Sequence, residues 1–218
     1  DSLVRQHGPV PAGRAAHLLI QVCASLEEAH VRGLVHRDIK PANIHVGRLG
    51  LVHDFVKVLD FGLVKPIADR SLDETLATQA GLVVGTPGYM APEMVVSDTV
   101  DGRADLYALG CVGYYVLTGQ QVFDGDTTMK VIAKHLQEAP MPPSQRVPNG
   151  VPPGLERVIL ACLAKKPEDR PRSAAELARL LAAADVEPWT GEQAAEWWAT
   201  ATTNPGPRES ADRTVTSA

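Results

Sequence analysis

The stretch LVHRDIKPANIHV, residues 34–46, places Arg37, Asp38, Lys40 and Asn43 within a few positions of one another, between apolar flanks. Taken singly, each has an ordinary explanation: Asp38 as a turn residue, Lys40 as a solvated charge, Asn43 as a side chain bonded to its own backbone. Charged residues beside apolar ones are most often a helix rim or a loop lying on the core. Held together in space, however, a carboxylate, an amide and two cations could manage a proton beside an anionic group. The set therefore has to be judged as one, with the elements that would hold it.

Those elements are mostly helical. From Ala15 to His30 the apolar residues Ala15, Leu18, Leu19, Val22, Cys23 and Leu26 recur at three- and four-residue steps, with Glu27 and Glu28 on the wet side and Gly33 as a stop. Two short alternating runs, NIHV and VKVLDF, predict a small hairpin with a longish connection at GRLGLVHD. The Ser-, Thr-, Asp- and Gly-rich stretch from Asp69 to Gly88 shows no period and reads as a mobile loop. Residues 104–119, ADLYALGCVGYYVLTG, are apolar nearly all round, as a helix buried on every side would be. After KVIAKHLQ and a proline-rich connector, amphipathic helices are predicted at Leu155–Ala164 and from Ser173 onward, where Ser173 and Glu176 form a capping box. Thr190 and Gln193 repeat that device before Trp197 and Trp198, which read as anchors of one short terminal helix over 186–200. Residues 201–218 turn polar and read as a disordered tail.

Composition narrows the partners. The chain of 218 residues carries 21 Lys+Arg against 26 Asp+Glu, a net charge of -5, which offers no diffuse basic field for nucleic acid or an anionic membrane surface. No run approaches the roughly 18 apolar residues of a membrane span, and no signal-peptide pattern opens the chain. Cys23, Cys111 and Cys162 are odd in number, far apart and set in apolar helical patterns, which suits reduced core thiols and a cytoplasmic setting. There is no internal repeat of the kind a helical scaffold needs.

Read in order, HRDIKPAN, then DFG at Asp60–Gly62, then APE at Ala91–Glu93 resemble the signatures of the protein kinase superfamily. With GTPGYMAPE and ADLYALGC, the sequence is most similar to bacterial serine/threonine kinases of the eukaryotic-like type, over about residues 1–185. The resemblance implies a mainly α fold: the C-terminal lobe of a kinase catalytic domain, a helical bundle around a buried central helix with a small β-hairpin carrying a metal site. It implies ATP and Mg²⁺ as cofactors and a protein substrate with a Ser or Thr acceptor.

By that resemblance Asp60 is the main metal ligand and the amide oxygen of Asn43 the second. Asp38 would orient or accept the proton of the substrate hydroxyl, and Lys40 would offset charge on the moving phosphoryl. Thr86 would bridge toward Asp38 and Lys40. The chemistry needs these types because a transferring phosphoryl group is densely anionic and calls for positioned cations and a metal. Lys40, two residues after Asp38, matches serine/threonine kinases and departs from the tyrosine-specific and small-molecule relatives. His36 reads as packed under the loop, Asp105 as the holder of the loop backbone, and Glu93 with Arg170 as a buried ion pair. Arg37 would pair with a phosphate on Thr75 or Thr78, with Ser71 nearby in the same loop. Ala42 stands where some kinases with basic substrates carry a glutamate, so nothing recommends an arginine-directed specificity.

Two departures bear on activity. The hairpin between Asn43 and Asp60 is longer than the family's tight one, an apparent insertion expected to alter a surface turn and leave the metal site intact. The upper lobe of a kinase, with its Gly-rich loop and strand lysine, is not represented: the first lysine is Lys40, and GLVVGTPG has the wrong spacing for a phosphate loop. The sequence therefore reads as a lower lobe, a fragment that needs a missing N-lobe. A pseudokinase-like binding or scaffolding module is the alternative; it would more commonly lack one of Asp38, Lys40, Asn43 or Asp60, and all four are here.

Overall fold

The computed structural model describes residues 1–60, 65–66, 86–97 and 99–203. The expectations for Phe61, Gly62, Ser71, Thr75, Thr78, the loop up to residue 85 and the tail beyond residue 203 fall outside them. In chain order the helices are α1 (Ser2–His7), α2 (Ala12–Val31), α3 (Glu93–Val96), α4 (Arg103–Thr118), α5 (Thr128–Gln137), α6 (Pro153–Cys162), α7 (Ala174–Ala182) and α8 (Gly191–Thr203). The strands are β1 (Leu34–Val35), β2 (Ile44–Leu49), β3 (Val52–Val58) and β4 (Lys65–Pro66). β1 pairs antiparallel with β4, and β2 pairs antiparallel with β3.

The fold is mainly α, as the sequence predicts, and α4 is its centre. Every residue from Ala104 to Tyr114 is buried, which matches a segment with no polar face. α2 and α6 pack on it from opposite sides of the sequence, and α7 packs on α2 and α6. In α2 the predicted apolar positions Ala15, Leu18, Leu19, Val22, Cys23 and Leu26 are all in the core. Each large aliphatic side chain withdrawn in this way contributes about 1.5–3 kcal/mol. α2 starts at Ala12, three residues before its apolar period begins, because Pro11 with ψ 147 sets the entry and the small residues Ala12 and Gly13 fill the first turn. The three cysteines are free and buried; burial pushes the Cys23 thiol up to about 12.

The hairpin corrects one expectation. GRLGLVHD is not a longish connection: the strands continue through it to Leu49 and Val52, which pair directly across a two-residue turn at Gly50 and Leu51. Gly50, with φ 59, supplies the left-handed conformation that such a turn demands. Nor is the extra length confined to the surface, since it brings Asp54 into the interior, with 0% of its surface exposed. Both predicted N-caps form where expected, although only the second is a reciprocal box, since the Glu176 carboxylate reaches back to Arg172 N, one residue before the cap. Ser173 Oγ accepts from Glu176 N at 3.1 Å, and Thr190 exchanges bonds with Gln193 at 3.2 and 2.8 Å. Among the described residues no helix is long and apolar enough to cross a membrane.

Candidate active site

The loop after β1 is fastened from below by one carboxylate. Asp105, in the first turn of α4 and fully buried, accepts from His36 N at 2.8 Å on Oδ2 and from Arg37 N at 2.8 Å on Oδ1. His30 Nε2, from the last turn of α2, lies 2.8 Å from Oδ2 as a third partner. A buried carboxylate is tolerable only when donors replace its lost water, and here two of the donors are the loop's own backbone. They hold Arg37 at φ 63, a left-handed conformation that a residue bearing a Cβ seldom adopts unaided.

His36 is fully buried and ties the loop sideways. Its Nδ1 accepts from Asp38 N at 3.3 Å and its Nε2 lies 2.9 Å from Leu59 O, so the proton sits on Nε2. Leu59 N in turn donates to Asn43 O at 2.8 Å. Residue 59 is thus bonded to the loop through both its N–H and its C=O, and Asp60 follows it directly. Asp60 is exposed, with φ 61, another positive value at a non-glycine residue.

Asn43 closes the 3₁₀ turn Pro41–Asn43 and is buried. Its side-chain nitrogen donates to Asp38 O at 2.8 Å and to Asp38 Oδ2 at 3.0 Å. Both partners are acceptors, so the NH₂ end must face them and the amide oxygen is the end offered elsewhere. Lys40 Nζ stands 2.7 Å from Asp38 Oδ2 and donates to Thr86 Oγ1 at 3.1 Å. Asp38, Lys40, Asn43 and Thr86 therefore form one bonded group, although Thr86 lies 46 residues from Lys40. The donors facing a cation would be the Asn43 amide oxygen and the Asp60 carboxylate. They are hard oxygens with no thiolate or imidazole among them, a set that suits Mg²⁺.

Behind Thr86, the 3₁₀ turn Pro87–Tyr89 packs on α4 and α5. Glu93, at the start of α3, meets Arg170 in a two-pronged pair, Nη1 to Oε1 at 2.7 Å and Nη2 to Oε2 at 2.8 Å. Arg170 also donates to the carbonyls of Ala164, Arg103 and Lys165, at 2.8, 3.0 and 3.0 Å. Local patterns in the sequence did not single out the layer beneath. The Tyr107 hydroxyl meets His135 Nδ1 at 2.8 Å, with the Phe123 ring edge-on to His135 at 5.0 Å. Burial, then the neighbouring Lys165 ammonium, pushes His135 down to about 4. Lys165 itself is lowered to about 8 by burial and caps the carbonyl of His135 at 2.8 Å. His30 was likewise missed, since a histidine ending an amphipathic helix reads as a solvated residue near the helix C-terminus.

A mainly helical lobe, with a loop carrying a bonded Asp–Lys–Asn group beside a small hairpin, is a kinase-like fold. A family profile described as protein kinase domain matches residues 1–180, and the chain belongs to that family. It is 42% identical over 186 residues to the serine/threonine-protein kinase pkn3 of Myxococcus xanthus, covering 85% of this chain and 34% of that protein. It is 48% identical over 179 residues to Pkn1 of the same organism, covering 82% of this chain and 25% of that protein. With PknB of Mycobacterium leprae the identity is 42% over 175 residues, covering 80% and 27%. The chain thus spans about a third or less of the length of these relatives.

Proposed function

We propose that these residues are the lower lobe of a serine/threonine protein kinase, which transfers the γ-phosphoryl of ATP to a Ser or Thr hydroxyl of a protein substrate. The observation that carries this reading is the bonded group Asp38–Lys40–Thr86 with Asn43 closing it. In Asp38 both side-chain contacts fall on Oδ2, so Oδ1 is the oxygen that would meet the substrate hydroxyl and orient or take its proton. Lys40, fixed between Asp38 and Thr86, would place its charge against the phosphoryl oxygens as they are transferred. Asp60 and the Asn43 amide oxygen would hold Mg²⁺, whose contribution when bound is to offset phosphate charge and set the triphosphate in line. The protein's part is positioning: Asp105 fixes the loop backbone, His36 fixes the loop against Leu59, and the Glu93–Arg170 pair fixes the segment after Thr86.

The relatives' names, serine/threonine-protein kinase, support the acceptor class. Arg37 would receive a phosphate on Thr75 or Thr78, a pairing that phosphopeptide mapping of an active preparation tests. These 218 residues hold no Gly-rich loop or lysine ahead of Asp38, so alone they should bind ATP and Mg²⁺ weakly and turn over little. The test is a phosphoryl-transfer assay of this chain beside one extended upstream through a Gly-rich loop and strand lysine. Transfer to Ser or Thr by the extended chain, lost with Asp38→Asn, is the expected result. Equal turnover with and without the extension, or transfer that survives Asp38→Asn, would overturn it.

A further inference from the structure

All three tryptophans of the chain, Trp189, Trp197 and Trp198, lie beyond the residues that the kinase profile matches. All three converge on one ion pair. Asp54 and Arg14 are 0% and 1% exposed, and Arg14 donates through Nε and Nη2 to the two carboxylate oxygens at 2.8 and 2.7 Å. Trp189 Nε1 donates to Oδ2 at 2.8 Å and Trp198 Nε1 to Oδ1 at 2.8 Å. Each oxygen of Asp54 thus takes one guanidinium and one indole N–H. The Trp197 ring covers the guanidinium, 3.7 Å from Cζ to the ring centroid, with the Trp189 ring at 5.3 Å.

An ion pair withdrawn from water is costly unless its remaining bonding capacity is met. Here the segment after Ala184 meets it, with two donors on one carboxylate and an aromatic face on the cation. Its backbone is as closely fitted as its side chains. A Cβ at Gly13 would stand 2.0 Å from Glu187 O, so glycine is what lets the segment lie on α2. This is recognition by paired N–H groups, which is more selective than an apolar cap.

Asp54 is also the irregular residue of the hairpin. Pairing passes from Gly47↔Phe55 to Arg48↔His53, so Asp54 is the extra residue of a bulge, and its φ is 54. Gln21 holds the bulge from α2, donating to Asp54 O at 2.9 Å and accepting from Val56 N at 3.1 Å. A non-glycine residue in that conformation costs on the order of 1–3 kcal/mol and persists only where its surroundings impose it. From the bulge β3 runs to Val58 and then to Leu59, which is bonded to Asn43 and His36.

We propose that residues 187–203 are a strap that docks by its paired indoles on Asp54 and, by fixing the bulge, fixes the hairpin at the end that bears Asn43 and Leu59. Trp189 and Trp198 are then positioning residues. The docking stands without any phosphoryl transfer; only the assignment of Asn43, at the end so fixed, to a magnesium site rests on the reading given above.

The experiment is residue-resolved amide hydrogen exchange on the whole 218-residue chain, without nucleotide or metal, with indole emission recorded in parallel. With no tryptophan elsewhere, emission reports the strap alone. Trp189→Phe with Trp198→Phe should red-shift the remaining emission and speed exchange at Val56 and Leu59 about tenfold, while amides of α4 keep their protection. Asp54→Asn should do the same. If the double variant does not fold, Trp198→Phe alone should give the same pattern at about threefold. A red shift with unchanged exchange at Val56 and Leu59 would overturn the proposal, as would an equal acceleration in α4 or an unshifted emission. None of these outcomes depends on whether the chain binds ATP.

Discussion

Arg170 and Glu93 meet fork to fork across 77 residues of chain, at 2.7 and 2.8 Å, with 0% and 9% of their side chains exposed. The pair joins the start of α3, just after the Thr86 turn, to the connection between α6 and α7. Arg170 also caps three carbonyls and lies over the Tyr107 ring at 4.8 Å, so no lysine can replace it in kind. Arg170→Met should lower unfolding free energy by about 3–5 kcal/mol, because it strands the Glu93 carboxylate. Arg170→Met with Glu93→Gln should lower it by less than the sum of the two single changes. Urea denaturation measures both, and a loss below about 1 kcal/mol for Arg170→Met would mean the pair is not structural.

Asp105→Asn tests the fastening of the loop. Whichever way the amide turns, its NH₂ faces a backbone N–H, of His36 or of Arg37, and one bond becomes a donor–donor contact. The expected loss of stability is about 1–3 kcal/mol. In a chain extended by an upstream lobe, transfer should fall at least about tenfold as the loop loosens around Asp38. Full activity at unchanged Asp38 geometry would show that the loop is held by other means.

The parts of the fold legible in the sequence were those written in short-range patterns. The apolar period of α2, the all-apolar α4 and the N-caps at Ser173 and Thr190 each lie within one element, where spacing alone decides which face is buried. The grouping of Asp38, Lys40 and Asn43 was legible because HRDIKPAN is contiguous. Arg14 and Asp54 were not. Arg14 interrupts the apolar face of α2 as a solvated charge would, and Asp54 ends GRLGLVHD as a turn residue would. Only a partner 40 residues away, and indoles 135 and 144 residues away, give them a reason to be buried. The continuation of the strands through GRLGLVHD was hidden for the same cause, since a bulge interrupts the alternation and is set by what the extra residue bonds to.

Lys40 and Asp38 should separate by effect in the extended chain. In the proposed roles, Lys40→Met would remove the charge set against the transferring group, and kcat should fall on the order of 10²–10³-fold with little change in the KM for ATP. Asp38→Asn keeps the shape and its bond from Asn43 but would remove the proposed proton acceptor, with a fall on the order of 10²–10⁴-fold. Steady-state kinetics with a Ser- or Thr-bearing peptide distinguishes them. A Lys40→Met enzyme whose only defect is a raised KM would place Lys40 in ground-state binding instead.

His135 should make the lobe acid-sensitive. In the folded chain it stays unprotonated down to about 4, first because it is buried and next because Lys165 stands beside it, whereas in the unfolded chain it binds a proton near 6.5. Between those values the unfolded state holds more protons, so unfolding grows easier as pH falls. The contribution is whole above about 6.5 and is lost progressively toward 4, a span of up to about 3 kcal/mol for a group this enclosed. His135→Asn places an amide where Nδ1 met the Tyr107 hydroxyl and cannot titrate. The variant should be less stable than the parent at pH 8, through lost ring packing against Phe123, and the gap should narrow by more than about 1 kcal/mol at pH 5. Chemical denaturation at the two pH values measures it, and a gap of the same size at both would show that His135 is protonated in the folded lobe.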